Sequence, residues 1–363
     1  MTRVRPQWRA TVRAGSVLGL APGVLLHPGP PLASIDEMCP PLRNSACAAL
    51  LFEGIAADVA QAQALIASGD VELQPAQEHG VAIPLAAVVS RSMWLHEIAD
   101  AGTGGRTTYA PLNEGPGPAL RFGFLNEAVV ERLRFVHGHI GPQLSMALTA
   151  PVDLLPIAAA ALAAGDDLHA RVGMGSALLV EQVLLSGDEA AFLRDNSHFF
   201  LNVWMAACLC ILSAAHAGDM LIAAGGNGRA FGIQLGRAPG VWITAPATVP
   251  FGPTAPTVSA DTLRLPAIGD SALIDALGFG ALALDAAPAH AAHFAPELVN
   301  ELARTAAGLL VVEHPVLGRR IGVDTARVKV YGPPSVCLAA VDATGAQGLI
   351  GFGIAQHPDA LYS

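Results

Sequence analysis

Phe199–Ala215, FFLNVWMAACLCILSAA, is the longest apolar run in the chain, and how it is read decides the fold. A membrane span wants about 20 apolar residues. This run is shorter and carries Asn202 inside it, so a buried core helix is expected. Outward from it, the pattern over residues 126–216 is almost wholly helical. Gly141-Pro142 and Pro151 punctuate it, and Asp153–Ala164 forms a small-residue helix. Another helix is expected to open around Gly165–Arg171 with Asp166 or Asp167 as N-cap, and Ser186–Glu189 to lead into a helix over Ala190–Ala215.

The flanks are mixed. On the N-terminal side Val17–Leu32 reads as a strand entering the loop His27-Pro-Gly-Pro-Pro, and Asn44 or Ser45 caps one long helix through Ile66. Val71–Leu73, Ile83–Val89 and Arg106–Ala110 read as strands, and Glu127–Val136 as a helix. On the C-terminal side Asp219–Ala224, Ala230–Gly236 and Val241–Ala247 form a meander, followed by the exposed connection or lid Pro250–Pro256. Gly269-Asp-Ser starts a short helix, Pro296–Ala306 is a helix, and Val328–Val330, Val336–Val341 and Leu349–Ile354 close as strands. The expected class is α+β, with mixed α/β domains at 1–125 and 217–363 and a helical subdomain inserted over 126–216.

Composition narrows the function. A net charge of −10 and a pI near 5.6 argue against a nucleic-acid surface. Mean hydropathy is +0.47, much of it from alanine, and no membrane segment is expected. Lys329 is the only lysine, which removes a Walker loop and leaves a Schiff base one awkward candidate in the strand-like run Arg327–Tyr331. Five cysteines without a C-x-x-C pair fit reduced thiols in a cytoplasmic protein, and Val17–Leu26 makes a poor signal peptide. No cofactor or metal is expected.

The chemistry gathers first at Leu112–Gly123, LNEGPGPALRFG. Gly115 and Gly117 permit close backbone approach, and Pro116 and Pro118 stiffen the turn. Asn113 offers an amide, Glu114 a carboxylate and Arg121 a permanently charged fork, together a plausible anion site. The alternative is a rigid turn in which Glu114 and Arg121 simply pair.

Other candidates are dispersed. His198 and Asn202 would share one face of a helix, as ligand groups or as a satisfied core pair. Asp167, His169 and Arg171 alternate where a helix terminus would attract anions, or where capping explains the acids. Glu53 is a carboxylate among apolar neighbours, and His79 lies in a loop before Ile83. Gly225–Gly232 offers an anion nest or an ordinary hairpin turn at Asn227-Gly228. His137-x-His139 and His290-x-x-His293 have metal-like spacings without the neighbouring cysteines or carboxylates of a zinc site, so surface or structural roles are expected.

Taken in order, His27-Pro-Gly-Pro-Pro-Leu, Met38-Cys-Pro-Pro, Phe52-Glu-Gly, Ser92-Met, Leu112-Asn-Glu-Gly, Leu120-Arg-Phe-Gly and Asp167-x-His169-x-Arg171 form a series. It continues through His198-Phe-Phe-Leu-Asn202, Asn227-Gly-x-x-Phe-Gly-Ile, Gly269-Asp-Ser-Ala and Gly322-Val-Asp324. This series resembles the AllG/YlbE-like family, one member of which is a subunit of oxamate carbamoyltransferase. The resemblance implies an α+β fold with a helical insert and passage of carbamoyl between oxalurate and phosphate. It also implies FdrA-type (AllF) and AllH-type partner subunits, and a homo-oligomer is compatible with it. The implied residues are His169, Arg171 and His198 for catalysis. For substrate binding they are His27, Glu53, His79, Asn113, Glu114, Gly115, Arg121, Asn202, Asn227, Gly228, Asp270 and Ser271. The chain departs from the family pattern in three places. It has His169-Ala-Arg-Val for His-Asn-Arg-Asn, Gly226 where an arginine is usual, and no His-rich Val-Gly-Pro-Met segment before Pro84. These departures leave room for a non-catalytic supporting subunit.

Overall fold

The apolar run that opens the sequence becomes the helix Phe199–Leu212, with every residue but Leu201 buried. A helix hydrophobic on all sides must be surrounded, and this one is. It lies against the strands Trp94–Asp100 and Thr108–Pro111 on one side and the helices Gly173–Val180 and Ala272–Leu277 on the others. Thr108 Oγ1 donates to the Ala206 carbonyl at 2.7 Å, and the Phe200 and Trp204 rings stack at 5.7 Å. No helix among the described residues is long and apolar enough to cross a membrane.

The computed structural model describes residues 1–216, 218–259 and 261–363 and has an α+β fold. One antiparallel sheet runs in the order Thr108–Pro111, Trp94–Asp100, Pro6–Arg13, Val152–Asp153. A second runs Ile268–Gly269, Leu221–Asn227, Ala230–Leu235, Ile243–Pro246, which includes the expected meander. Three two-stranded pieces complete the strands, and the antiparallel hairpin of Ser335–Val341 with Leu349–Gln356 matters most for the site. The larger core joins Trp8, the central helix and C-terminal residues such as Phe279 and Ile321. A second core gathers the N-terminal segment from Ala14 to Leu133.

Several elements differ from the sequence expectation. Val17–Leu32 holds the end of a short helix, Ala14–Leu18, and a strand only at Val24–His27, because Gly19 takes φ +66° and turns the chain between them. The long helix divides into Pro40–Phe52, capped at Cys39, and Val59–Ser68, capped by the Asp58 carboxylate on the Gln61 amide. Gly54 at φ +69° makes the break. Ile83–Val89 is buried but is no strand, since its amides go to the Asp270 carboxylate, the Arg121 carbonyl, a local turn and Leu26. Val328–Tyr331 is a helical turn, so Lys329 sits in no strand. Pro250–Pro256 does not hang free, since Phe251 and Thr254 bridge to Ile354 and Gly351 of the C-terminal hairpin.

Candidate functional site

Asp166–Val172 connects the helices Leu154–Ala163 and Gly173–Val180, and the second helix starts later than the sequence implied. Asp167 is not an N-cap. Its Oδ1 accepts the amides of His169 at 2.7 Å and Arg171 at 3.1 Å, folding the loop back on itself. Asp166 reaches forward to the Gly175 amide at 3.0 Å and so serves the first turn from a distance. Leu168, between Asp167 and His169, is held at φ +66° although it is not glycine. Such a backbone costs about 1–3 kcal/mol and persists where its surroundings dictate it. Among the described residues the other non-glycine at positive φ, Leu85 at +46°, faces the same cavity.

That cavity has a volume of about 320 Å³ and draws its walls from every part of the chain. The loop contributes His169 and Arg171, the N-terminal region Leu85 and Arg121, and His198, just ahead of the central helix, stands at its edge. Ser271 enters from the start of Ala272–Leu277, and the C-terminal hairpin brings Cys337, Leu338 and Phe352 as an apolar wall. His290 and His293 complete it. Beyond its spacing, nothing in the local sequence marks this pair, whose neighbours are mostly alanine.

The carboxylates come from elsewhere. His169 Nδ1 lies 2.5 Å from Asp275 Oδ2, and His290 Nδ1 lies 2.5 Å from Asp167 Oδ2. Both aspartate side chains are fully buried. Burial pushes the Asp275 pKa up, against the pull of His169 and the amides of Ala281 and Cys337. Burial also opposes ionisation of Asp167, but the His290 bond and charge, with the Arg171 and His169 amides, hold its pKa below the usual value. Burial and the Arg121 charge depress the His198 pKa, although His198 is exposed by area at the cavity edge. The Cys337 thiol is raised far above its ordinary range by burial and by Asp275 and Asp167, which leaves it a poor nucleophile.

Arg121 and Arg171 differ in kind. Arg121 is buried, with Nη1 2.7 Å from Glu114 Oε2 and Nη2 on the Gly115 carbonyl at 2.8 Å, so much of its charge is already answered. Arg171 is exposed and, among the described residues, makes no ion pair, so its guanidinium is free for an anion.

Of the sequence-predicted residues, His169, Arg171, His198, Arg121 and Ser271 line one cavity. Glu114 and Gly115 stand behind Arg121. Asn113 and Asn202 brace that turn, as Asn113 Nδ2 donates to Asn202 Oδ1 at 3.1 Å and Asn202 Nδ2 to the Pro111 carbonyl at 2.7 Å. His198 precedes the helix that contains Asn202, so the two do not share a helix face.

The remaining residues lie off the cavity wall. Asp270 is buried beneath Ser271 and accepts from Gly29, Gln77 and Ile83. Asn227 ends the strand Leu221–Asn227 and Gly228 opens the two-residue turn Gly228-Arg229, with Asn227 Oδ1 accepting the Arg229 and Ala230 amides. His27 is buried against the Pro28 carbonyl. Glu53 accepts from Ser90 and Ser92, and His79 closes the short turn Ala76–His79.

A larger hollow of about 600 Å³ lies elsewhere, beside Asp100 and Arg106. There Asp100 accepts the amides of Arg5 and Gly102, and Arg106 donates to the carbonyls of Gln77 and Glu78. Among the described residues no group of three or more His, Cys, Asp or Glu is placed to hold a metal ion.

Comparison with known proteins adds a family. The model of the oxamate carbamoyltransferase subunit AllG family matches residues 71–271. The oxamate carbamoyltransferase subunit AllG of Escherichia coli K12 is 34% identical over 305 residues, covering 79% of this chain and 72% of that protein. An uncharacterised protein of the same organism, YahG, is 29% identical over 373 residues, covering 95% of this chain and 78% of its own. A crystal structure of a conserved protein of unknown function from Enterococcus faecalis V583 superposes with a TM-score of 0.93 at 28% identity, covering 99% of this chain and 93% of that one. Taken with the α+β fold, these matches show that the chain belongs to the AllG family.

Proposed function

We propose that this chain is the AllG-like subunit of a carbamoyltransferase-type assembly, and that its cavity binds a small oxamate- or oxalurate-like anion while carbamoyl passes to or from phosphate. The observation that carries the reading is Arg171, an unpaired guanidinium on the same loop as an imidazole held by a buried carboxylate. The guanidinium suits a carboxylate or phosphate in a bidentate pose. With Nδ1 committed to Asp275, His169 keeps Nε2 for proton exchange. The volume is enough for a small anion with a second reactant beside it. FdrA-type (AllF) and AllH-type subunits are the partners in this reading, and the setting is cytoplasmic.

A second reading, a non-catalytic anion-binding or scaffold subunit, is favoured by one observation. Glu114 already answers the charge of Arg121, leaving Arg171 as the unpaired cation on this wall. Reconstitution with the two partner subunits separates the readings. Transfer from carbamoyl phosphate to oxamate should fall about tenfold to a hundredfold for Arg171→Ala, the loss of one charged hydrogen-bond donor. Oxamate binding to the isolated chain should weaken by a similar factor, read by calorimetry. Full activity in both Arg171→Ala and His169→Gln assemblies would assign the chemistry to a partner.

A further inference from the structure

We propose that His290 is a second proton-transfer residue of this cavity and that Asp167 is the positioning residue tying it to the loop of His169 and Arg171. The inference rests on the carbamoyl-transfer reading above and assigns a division of labour within it.

The geometry is a matched pair. Each imidazole gives Nδ1 to a fully buried aspartate at 2.5 Å, and each residue lines the cavity. A histidine kept for packing ends up elsewhere. The Nε2 atoms of His27, His96, His314 and His357 are sealed from solvent without a partner. His169 and His290 commit Nδ1 to their aspartates and both line the hollow, although each residue is buried. A carboxylate that fixes Nδ1–H selects the tautomer whose Nε2 can take a proton, and stabilises the imidazolium once it has.

The two units also interlock. One oxygen of Asp167 holds His290, while the other holds the amides of His169 and Arg171. The Asp167 carbonyl accepts the Gly280 amide at 2.8 Å. Gly280 sits at φ +58° directly against Asp275, where a Cβ would come within 2.4 Å of Oδ1. No side chain fits at Gly280.

Their environments differ in sign. The His290 bond and two backbone amides hold the Asp167 pKa below its usual value, whereas burial raises that of Asp275 beside His169. Paired groups driven apart in this way divide acid from base work. The other titratable or charged side chains facing the cavity are Arg121, Arg171, His198, His293 and Cys337.

In transfer from oxalurate, an oxygen of hydrogen phosphate attacks the ureido carbonyl carbon and its proton passes to Nε2 of His169. The bond from that carbon to the oxamate nitrogen then breaks. The nitrogen takes the proton of the His290 imidazolium, giving oxamate and carbamoyl phosphate. Exchange with solvent restores both rings, and the reverse reaction swaps their roles.

The test is the reconstituted assembly with oxalurate and phosphate, followed across pH. Wild type should show a bell-shaped kcat profile. His290→Gln should lose about a hundredfold or more in kcat with KM nearly unchanged, and should lose one limb of the bell. His290→Ala should regain activity on addition of imidazole, and Asp167→Asn should lower kcat and raise KM together. Histidine-selective 15N NMR of the wild-type chain avoids any folding defect of a variant, and added oxamate should shift the Nε2 signals of both His169 and His290. Transfer that survives His290→Gln within threefold with an unaltered profile overturns this inference alone. So does oxamate that moves the His169 signal and leaves that of His290 in place. A wild-type assembly that transfers nothing overturns the carbamoyl-transfer reading and this inference with it.

Discussion

Glu114 and Arg121 form an ion pair at 2.7 Å, with side chains 6% and 9% exposed, inside the stiff turn that the sequence marks as a candidate anion site. Arg121 lines the cavity, and its charge is answered from behind by Glu114. Removing one member of a buried pair strands the other, at a cost of about 3–5 kcal/mol. Glu114→Ala should therefore lose that much unfolding free energy in urea. The double replacement Glu114→Ala with Arg121→Met should recover a large part of it. Simple addition of the two single losses would contradict the pairing.

Glu53 looks functional in the sequence and structural in the fold. Its carboxylate accepts from Ser90 Oγ at 2.6 Å and from Ser92 N and Oγ at 2.7 and 2.8 Å, clamping the end of the helix Pro40–Phe52 to the segment before Trp94. Glu53→Gln should cost about 1–3 kcal/mol of stability, because an amide cannot accept from all three donors. Oxamate binding should be unchanged. A weakened calorimetric Kd with an unaltered urea midpoint would reverse this assignment.

Acid should destabilise the chain above the pH range where ordinary carboxylates titrate. Burial depresses the pKa of His27 to about 4 and of His96, His137 and His357 to about 3, from an ordinary 6.5. Such groups bind protons only when unfolded between those values, so their stabilisation is complete above pH 6.5 and is lost as pH falls toward 3. Each contributes about 1.4 kcal/mol per pH unit inside its window. Asp270, raised by burial to about 7, acts in the opposite sense, with stabilisation present below about pH 4 and lost as pH rises through 7. Burial also lowers His198 and His314 and raises Asp166 and Asp275, so six imidazoles stand against three carboxylates and the urea midpoint should fall from pH 6.5 to pH 4.5. Asp270→Asn should make that fall steeper. A midpoint that stays level on acidification would show that the histidines are not held neutral.

The candidate site was half legible. His169, Arg171 and Arg121 announced themselves because their neighbours in sequence are polar and glycine-rich, and those neighbours do form their supports. His290 did not, since its partner Asp167 lies 123 residues away and its neighbours are alanines. Asp275 was hidden likewise within an apolar helix, Ala272–Leu277. Asn227, Gly228 and His27 carried motif signals that turn geometry and packing account for.

The sequence by itself determined what short-range chemistry can specify. It required burial of Phe199–Leu212, because a helix apolar on every side and too short to span a membrane is accepted only in a protein core. It set the β-meander after residue 218 through its turn residues, and the α+β class through the alternation of these patterns. Tertiary structure alone decided which carboxylate meets which imidazole. A buried aspartate takes whichever donor the packed core places within reach, and here the core brings together segments more than a hundred residues apart.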